Sequence, residues 1–318
     1  MPPAKSPASR PIAAPARTTP PEVVDPVWLS KALALALLAA LICAYATLCL
    51  LFYQGEWQLI LHPSHTIDRT PASSGLAYSD VRFGASESGQ PRLTAWRIPA
   101  SSPAGFQPKY AAFTVLLFHD GSGSLSDTVP MLASLHSTGL NVFAIDYRGF
   151  GASDSTAHPS EARMAEDAED ALNYLTGTLH IPDRAIIPYG AGLGAALAAN
   201  LAQKHTGFPA LILDNPAPDP ASIAGAAKPS RLVPVRLLFG GQFDIQKPIA
   251  TLGTPKLLIA GGPGSSNATA DPRPLQDLFK HAASPSFGVT LPSNNFEGDY
   301  QAALSRFLDQ YLPNPTQH

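Results

Sequence analysis

Cysteine is almost absent from this 318-residue chain, and the two present, Cys43 and Cys49, fall inside one apolar run near the N-terminus. Everything beyond that run has neither a disulfide nor a thiol nucleophile, so its stability rests on core packing. No lipobox precedes either cysteine. Charge is scarce too, with Asp, Glu, Lys and Arg making up 14% of residues. A net charge of −3 and a pI near 6.3 supply no basic field, which excludes nucleic acid as a partner. No internal repeat is visible. No cofactor is expected, and the histidines and carboxylates show no metal-ligand spacing.

Proline and apolar residues are plentiful instead: 33 prolines, and 45% hydrophobic residues overall. Proline is dense before Pro26, where it alternates with alanine. Such a composition buries too little apolar surface to fold, so residues 1–26 read as a disordered tail. From Ala32 to Gly55 no residue is charged and Leu and Ala dominate. About 20 apolar residues span a bilayer, so residues 27–55 are expected to be a single transmembrane segment. Lys5, Arg10, Arg17 and Lys31 precede the uncharged run that starts at Ala32, and the first basic residue beyond it is Arg69. The positive-inside rule then places the tail in the cytoplasm and the rest outside it, as in a bacterial inner-membrane protein facing the periplasm. Tyr45, Phe52, Tyr53 and Trp57 could form part of an interfacial belt. Ala44-Tyr45-Ala46 offers a signal-peptidase pattern ending at Ala46. The apolar run continues through Phe52, however, and the tail before it is long, which favours an uncleaved signal anchor.

Residues 56–318 read as one α/β domain. Residues 78–83 and 93–98 form an opening antiparallel pair. The unbroken apolar runs at 111–118 and 141–145 have the character of central strands buried on both faces. Strands over 185–189, 210–213, 255–260 and 287–291 complete a mostly parallel sheet of about eight strands. Helices are expected over 125–138, 159–174, 195–202, 274–282 and 298–311, the last stopped by Pro313 and Pro315. A proline-rich stretch fills 216–248.

The most informative motif is Tyr189-Gly190-Ala191-Gly192-Leu193-Gly194, between the strand at 185–189 and the small-residue helix at 195–202. A sharp strand-to-helix turn of this kind is where a G-x-S-x-G motif presents a nucleophilic serine. Here glycine stands in the serine's place. Upstream lie Leu117-Phe118-His119-Asp120-Gly121-Ser122-Gly123-Ser124 and Asp146-Tyr147-Arg148-Gly149-Phe150-Gly151-Ala152-Ser153. Downstream lie Leu213-Asp214-Asn215-Pro216, and Pro234-Val235-Arg236 with Phe243-Asp244. Together and in this order these motifs resemble the α/β-hydrolase superfamily over about residues 57–312. They are most similar to its membrane-anchored serine-hydrolase branch, which includes lysophospholipid lipases and depalmitoylating thioesterases. The resemblance implies an α/β-hydrolase fold with helices on both faces of the sheet, an oxyanion loop at His119-Asp120-Gly121, and a cleft bordered by Ala191 and Leu193.

It also implies a triad in the chain order Ser, Asp, His, and all three slots are vacant. Gly192 replaces the serine. The acid slot falls in Ala260-Gly261-Gly262-Pro263-Gly264, with Gly264 where the aspartate belongs. The histidine slot falls in Ser293-Asn294-Asn295-Phe296, with Asn294 in place of the base. A serine attacks only when imidazole takes its proton and a carboxylate orients that imidazole, and asparagine has no basic nitrogen to offer. Gly192 has a positive rationale as well. The elbow residue sits at positive φ, where a non-glycine residue stores about 1–3 kcal/mol. Asp120 replaces the family's loop glycine, and a carboxylate there opposes a forming oxyanion, caps the following loop or points to solvent.

Rescue by other residues is conceivable through Ser122 or Ser124 with His119 and Asp120, or with Asp271 as a replacement acid. The plainer reading is a glycine-serine turn, a strand-end histidine bonded to backbone, and a turn or helix start at Asp271-Pro272. Tyr147-Arg148-Gly149 is expected to buttress the fold. The expected function is a membrane-anchored hydrolase-like protein without serine-hydrolase activity that binds a lipid, an acyl chain, a peptide or a partner protein. The alternative is an active esterase, lipase or thioesterase using displaced residues.

Overall fold

Along β4 (Thr114–Phe118) every side chain is buried, and alternation sends Val115 and Leu117 to one face of the sheet and Leu116 and Phe118 to the other. A strand buried on both faces needs helices above and below it, and the computed structural model has that arrangement. It describes residues 25–55, 57–85, 89–101, 108–156, 158–217, 243–261, 273–291 and 296–312. The chain divides between Leu51 and Phe52 into two units.

The first unit holds most of the helix α1 (Pro26–Gln54). Its Pro26–Leu51 stretch is long and apolar enough to cross a membrane, and Leu33, Leu37 and Leu41 on it are exposed.

The second unit begins with the short helix α2 (Trp57–Ile60), followed by β1 (His62–Pro63). Then come β2 (Ser79–Ala85), β3 (Pro91–Ile98), β4, β5 (Ser122–Gly123), α3 (Leu125–Ser137) and β6 (Asn141–Asp146). They are followed by α4 (Glu161–Asn173), β7 (Ile186–Ala191), α5 (Gly194–Lys204) and β8 (Leu211–Asp214). The last described elements are α6 (Gln246–Thr251), β9 (Lys256–Gly261), α7 (Arg273–His281), β10 (Ser286–Leu291) and α8 (Phe296–Tyr311).

The main sheet has eight strands in the order β10-β9-β8-β7-β4-β6-β3-β2. β3 runs antiparallel to both β2 and β6, and every other neighbouring pair is parallel. Residues of α4, α5, α6 and α7 pack on the face that carries Leu116 and Phe118, while α3 and α8 cover the face that carries Val115 and Leu117. The expected sheet is present, with local shifts. The strand expected from 111 starts at Thr114, after a turn at 109–112. α6 starts at the end of the proline-rich stretch and runs past it, with Ile249 joining the core; residues 218–242 of that stretch lie outside the described residues. The pairing of β1 with β5 was not expected at all.

Candidate functional site

The elbow is built by close approach. An ideal Cβ on Gly190 would lie 2.3 Å from the Gly194 carbonyl oxygen, and one on Gly194 would lie 2.3 Å from the Phe118 carbonyl oxygen. Only glycine at both positions lets β7, the start of α5 and the end of β4 meet here. At the apex Gly192 has φ of +55°, the left-handed region expected of an elbow residue. Its N–H donates to the Asp214 carbonyl at the end of β8 (3.0 Å).

The space above Gly192 is occupied by Asp120. A Cβ on Gly192 would stand 2.2 Å from Asp120 Oδ1 and 2.3 Å from its Cγ. The same Oδ1 accepts hydrogen bonds from the backbone N–H of Leu193 (2.9 Å) and of Gly121 (2.7 Å). One donor follows the nucleophile slot and the other comes from the loop after the central strand. In active members of such folds, donors of these two kinds form the oxyanion hole. The carboxylate therefore caps its own loop and, with the same oxygen, fills the anion nest, so two of the alternatives read from the sequence are one arrangement and the third, a side chain turned to solvent, is not adopted.

Apart from Ser122, the polar residues of the loop are committed to structure. Ser124 is buried and N-caps α3, accepting from Ser126 N–H and donating its Oγ to the Thr66 carbonyl. Asp127 completes the capping box by accepting from Ser124 N–H (3.1 Å). His119 is 1% exposed; its Nδ1 lies 2.6 Å from the Asp120 carbonyl oxygen and its Nε2 3.5 Å from Asp146 Oδ1. Among the described residues, neither ring nitrogen has a serine hydroxyl as a partner. Ser122 is exposed and has no side-chain hydrogen bond among the described residues. Tyr147 donates its hydroxyl to the His119 carbonyl, bracing the loop, and Arg148 pairs with Asp167 of α4, so both residues buttress the fold. Gly264, Asp271 and Asn294 lie outside the described residues.

Between this loop, α3 and the start of α8 lies a cleft of about 640 Å³, with Pro130, Met131, Ala133 and Ala191 among its apolar lining. Its floor holds a hydrogen-bonded set that the sequence did not reveal. The Tyr300 hydroxyl donates to that of Tyr189 (3.0 Å), which donates to Asp214 Oδ2 (2.7 Å); Asn215 Nδ2 donates to Oδ1 (2.9 Å). Burial pushes the Asp214 carboxyl up to about 6, while the Tyr189 and Asn215 hydrogen bonds act the other way. Burial, reinforced by the Asp214 charge, also holds the Tyr189 and Tyr300 hydroxyls above the usual phenol range. The signal that could have found this set is an aspartate ending a buried strand, Leu211-Ile212-Leu213-Asp214, beside the elbow strand.

A family model described as serine aminopeptidase, S33, matches residues 111–236. An uncharacterized protein of Mycobacterium tuberculosis, Rv2307c, is 31% identical over 201 residues, covering 63% of this chain and 66% of that one. The α/β-hydrolase domain-containing protein WAV2 of Arabidopsis thaliana is 32% identical over 162 residues, covering 50% of this chain and 49% of its own. The chain thus spans less than two thirds of either relative's length. Among solved structures, the Pyrococcus furiosus esterase Pf2001 superposes with a TM-score of 0.60 at 19% identity, over 80% of this chain and 99% of that one. At that identity the likeness is one of fold.

Proposed function

We propose that this chain, which has the α/β-hydrolase fold, is a membrane-anchored member of that superfamily that has left serine-hydrolase chemistry and uses its retained cleft to bind a ligand or partner. The observation that carries this reading is the Asp120 carboxylate on the Leu193 and Gly121 N–H groups, directly above a glycine. Acyl transfer needs an attacking oxygen at the elbow and free donors for the developing oxyanion. Gly192 supplies no oxygen, and Asp120 already satisfies both donors with a negative charge. The slots assigned from the sequence to Gly264 and Asn294 supply no acid or base. His119, the histidine nearest the loop serines in sequence, is buried and turned toward Asp120 and Asp146.

The cleft that remains is large enough for a small ligand, and its apolar wall on α3 suits an acyl chain, another lipid moiety or an apolar peptide side chain. The apolar helix acts as an uncleaved signal anchor, with the basic residues before it keeping the tail cytoplasmic and the domain in the periplasm. The reading is tested by assaying short-chain nitrophenyl esters with the full chain and with Gly192→Ser. Neither should exceed the buffer rate, because the serine would lack a base and meet the Asp120 carboxylate. Robust turnover by Gly192→Ser would show that acid and base are present after all.

A further inference from the structure

The chain that follows the apolar helix runs directly over the loop that carries Asp120. His62 N–H donates to the Gly121 carbonyl (2.7 Å) and Ser64 N–H to the Gly123 carbonyl (2.8 Å), which pairs β1 with β5 in parallel. Further along, Ser124 Oγ donates to the Thr66 carbonyl (3.1 Å) and Arg69 N–H to Ser126 Oγ (2.7 Å). On its other side the segment is held by Gly151 N–H, which donates to the Ser64 carbonyl (2.8 Å). Packing adds to the bonding. Leu61 is 2% exposed, and a Cβ on Gly121 would stand 2.8 Å from Leu61 Cδ2 and 2.6 Å from Leu193 Cδ1. Gly121 is therefore sandwiched between the incoming segment and the elbow. The residue before it, Asp120, holds the Gly121 and Leu193 N–H groups.

We propose that residues 61–69 form a juxtamembrane strap that keeps the Asp120 carboxylate in the donor nest, and that releasing the strap opens the nest to an external anion. While the strap is bonded, the loop has no room to move away from the elbow, and Asp120 competes from within the molecule for both donors. When the strap lifts, the loop loses partners on its outer side, and a carboxylate from solution can take the Leu193 and Gly121 N–H groups. An anion favours the released state because only there are both donors free.

The test is hydrogen exchange, resolved to single amides by fragmentation, on the full chain in lipid nanodiscs. Ser64→Pro removes the main-chain donor to Gly123, and Ser126→Ala removes the acceptor of Arg69 N–H. The expected result is exchange about tenfold faster at Gly121 and Leu193 in Ser64→Pro, with a smaller change in the same sense in Ser126→Ala. Gly192, whose N–H is bonded to Asp214, and the amides of β4 should stay protected. Sodium octanoate should restore protection at Gly121 and Leu193 in Ser64→Pro and leave the parent chain unaltered. Unchanged protection at these two amides, or equal acceleration in β4 and β7, would overturn the proposal. If Ser64→Pro does not fold, the same pattern or its absence in Ser126→Ala decides.

Discussion

Asp120 and Gly192 share one volume: the carboxylate of the first stands where any side chain on the second would have to be, with Oδ1 2.2 Å from the ideal Cβ position. The two residues define each other. Serine at 192 needs a loop residue without a carboxylate there, and aspartate at 120 needs an elbow residue without a Cβ.

Gly192→Ser should therefore destabilise the chain by about 2–4 kcal/mol, combining positive-φ strain with the overlap. Asp120→Gly should cost about 1–3 kcal/mol through the two lost charge-assisted hydrogen bonds. The double substitution should cost less than the sum, with a favourable coupling of roughly 1–3 kcal/mol. Chemical unfolding of the four proteins in detergent measures the cycle, and simple additivity would mean that the two groups do not meet.

Asp214 gives a pH signature. Its folded-state carboxyl is raised to about 6 from 3.8, so the folded state holds the proton more tightly than the unfolded one. The stability this contributes is full below about pH 4 and is lost as pH rises through 6. A shift of about two units corresponds to roughly 3 kcal/mol. Asp214→Asn removes this ionisation and should lessen the fall in stability between pH 4 and 7, where Asp167, whose carboxyl burial also raises to about 6, keeps its own contribution. Unfolding midpoints across that range check the slope.

Lys256 predicts a loss at the other end of the sheet. Its buried Nζ donates to the carbonyls of Leu252 (2.8 Å), Ala283 (2.6 Å) and Pro285 (3.4 Å), joining the start of β9 to the turn before β10. Lys256→Met keeps the apolar stem and leaves three carbonyls without this donor. A cost of about 2–4 kcal/mol is expected in thermal or chemical unfolding.

The elbow was legible in the sequence because its glycines answer local demands: a positive φ at 192 and contacts near 2.3 Å at 190 and 194 allow nothing larger. The buried strands were legible because their apolar runs leave no solvent face. The seat of Asp120 was not, since its second donor, Leu193, is 73 residues away and only the folded chain brings the two together. The strap escaped for the same reason, as two residues at 62–63 pairing with two at 122–123 carry no pattern of their own. Helix α6 was hidden by the prolines around it. The assignment of the acid and base slots to Gly264 and Asn294 rests on sequence order alone.

The most direct test of the proposed loss of serine-hydrolase chemistry is the intact mass of the full chain in detergent after treatment with a fluorophosphonate, beside an active serine hydrolase treated in parallel. Such a reagent labels an activated serine wherever it stands. With glycine at 192 and the donor nest filled by Asp120, the expected result is no mass gain in this chain while the control is fully labelled. A stoichiometric gain, mapped to Ser122 or any other serine, would contradict the loss of serine-hydrolase chemistry.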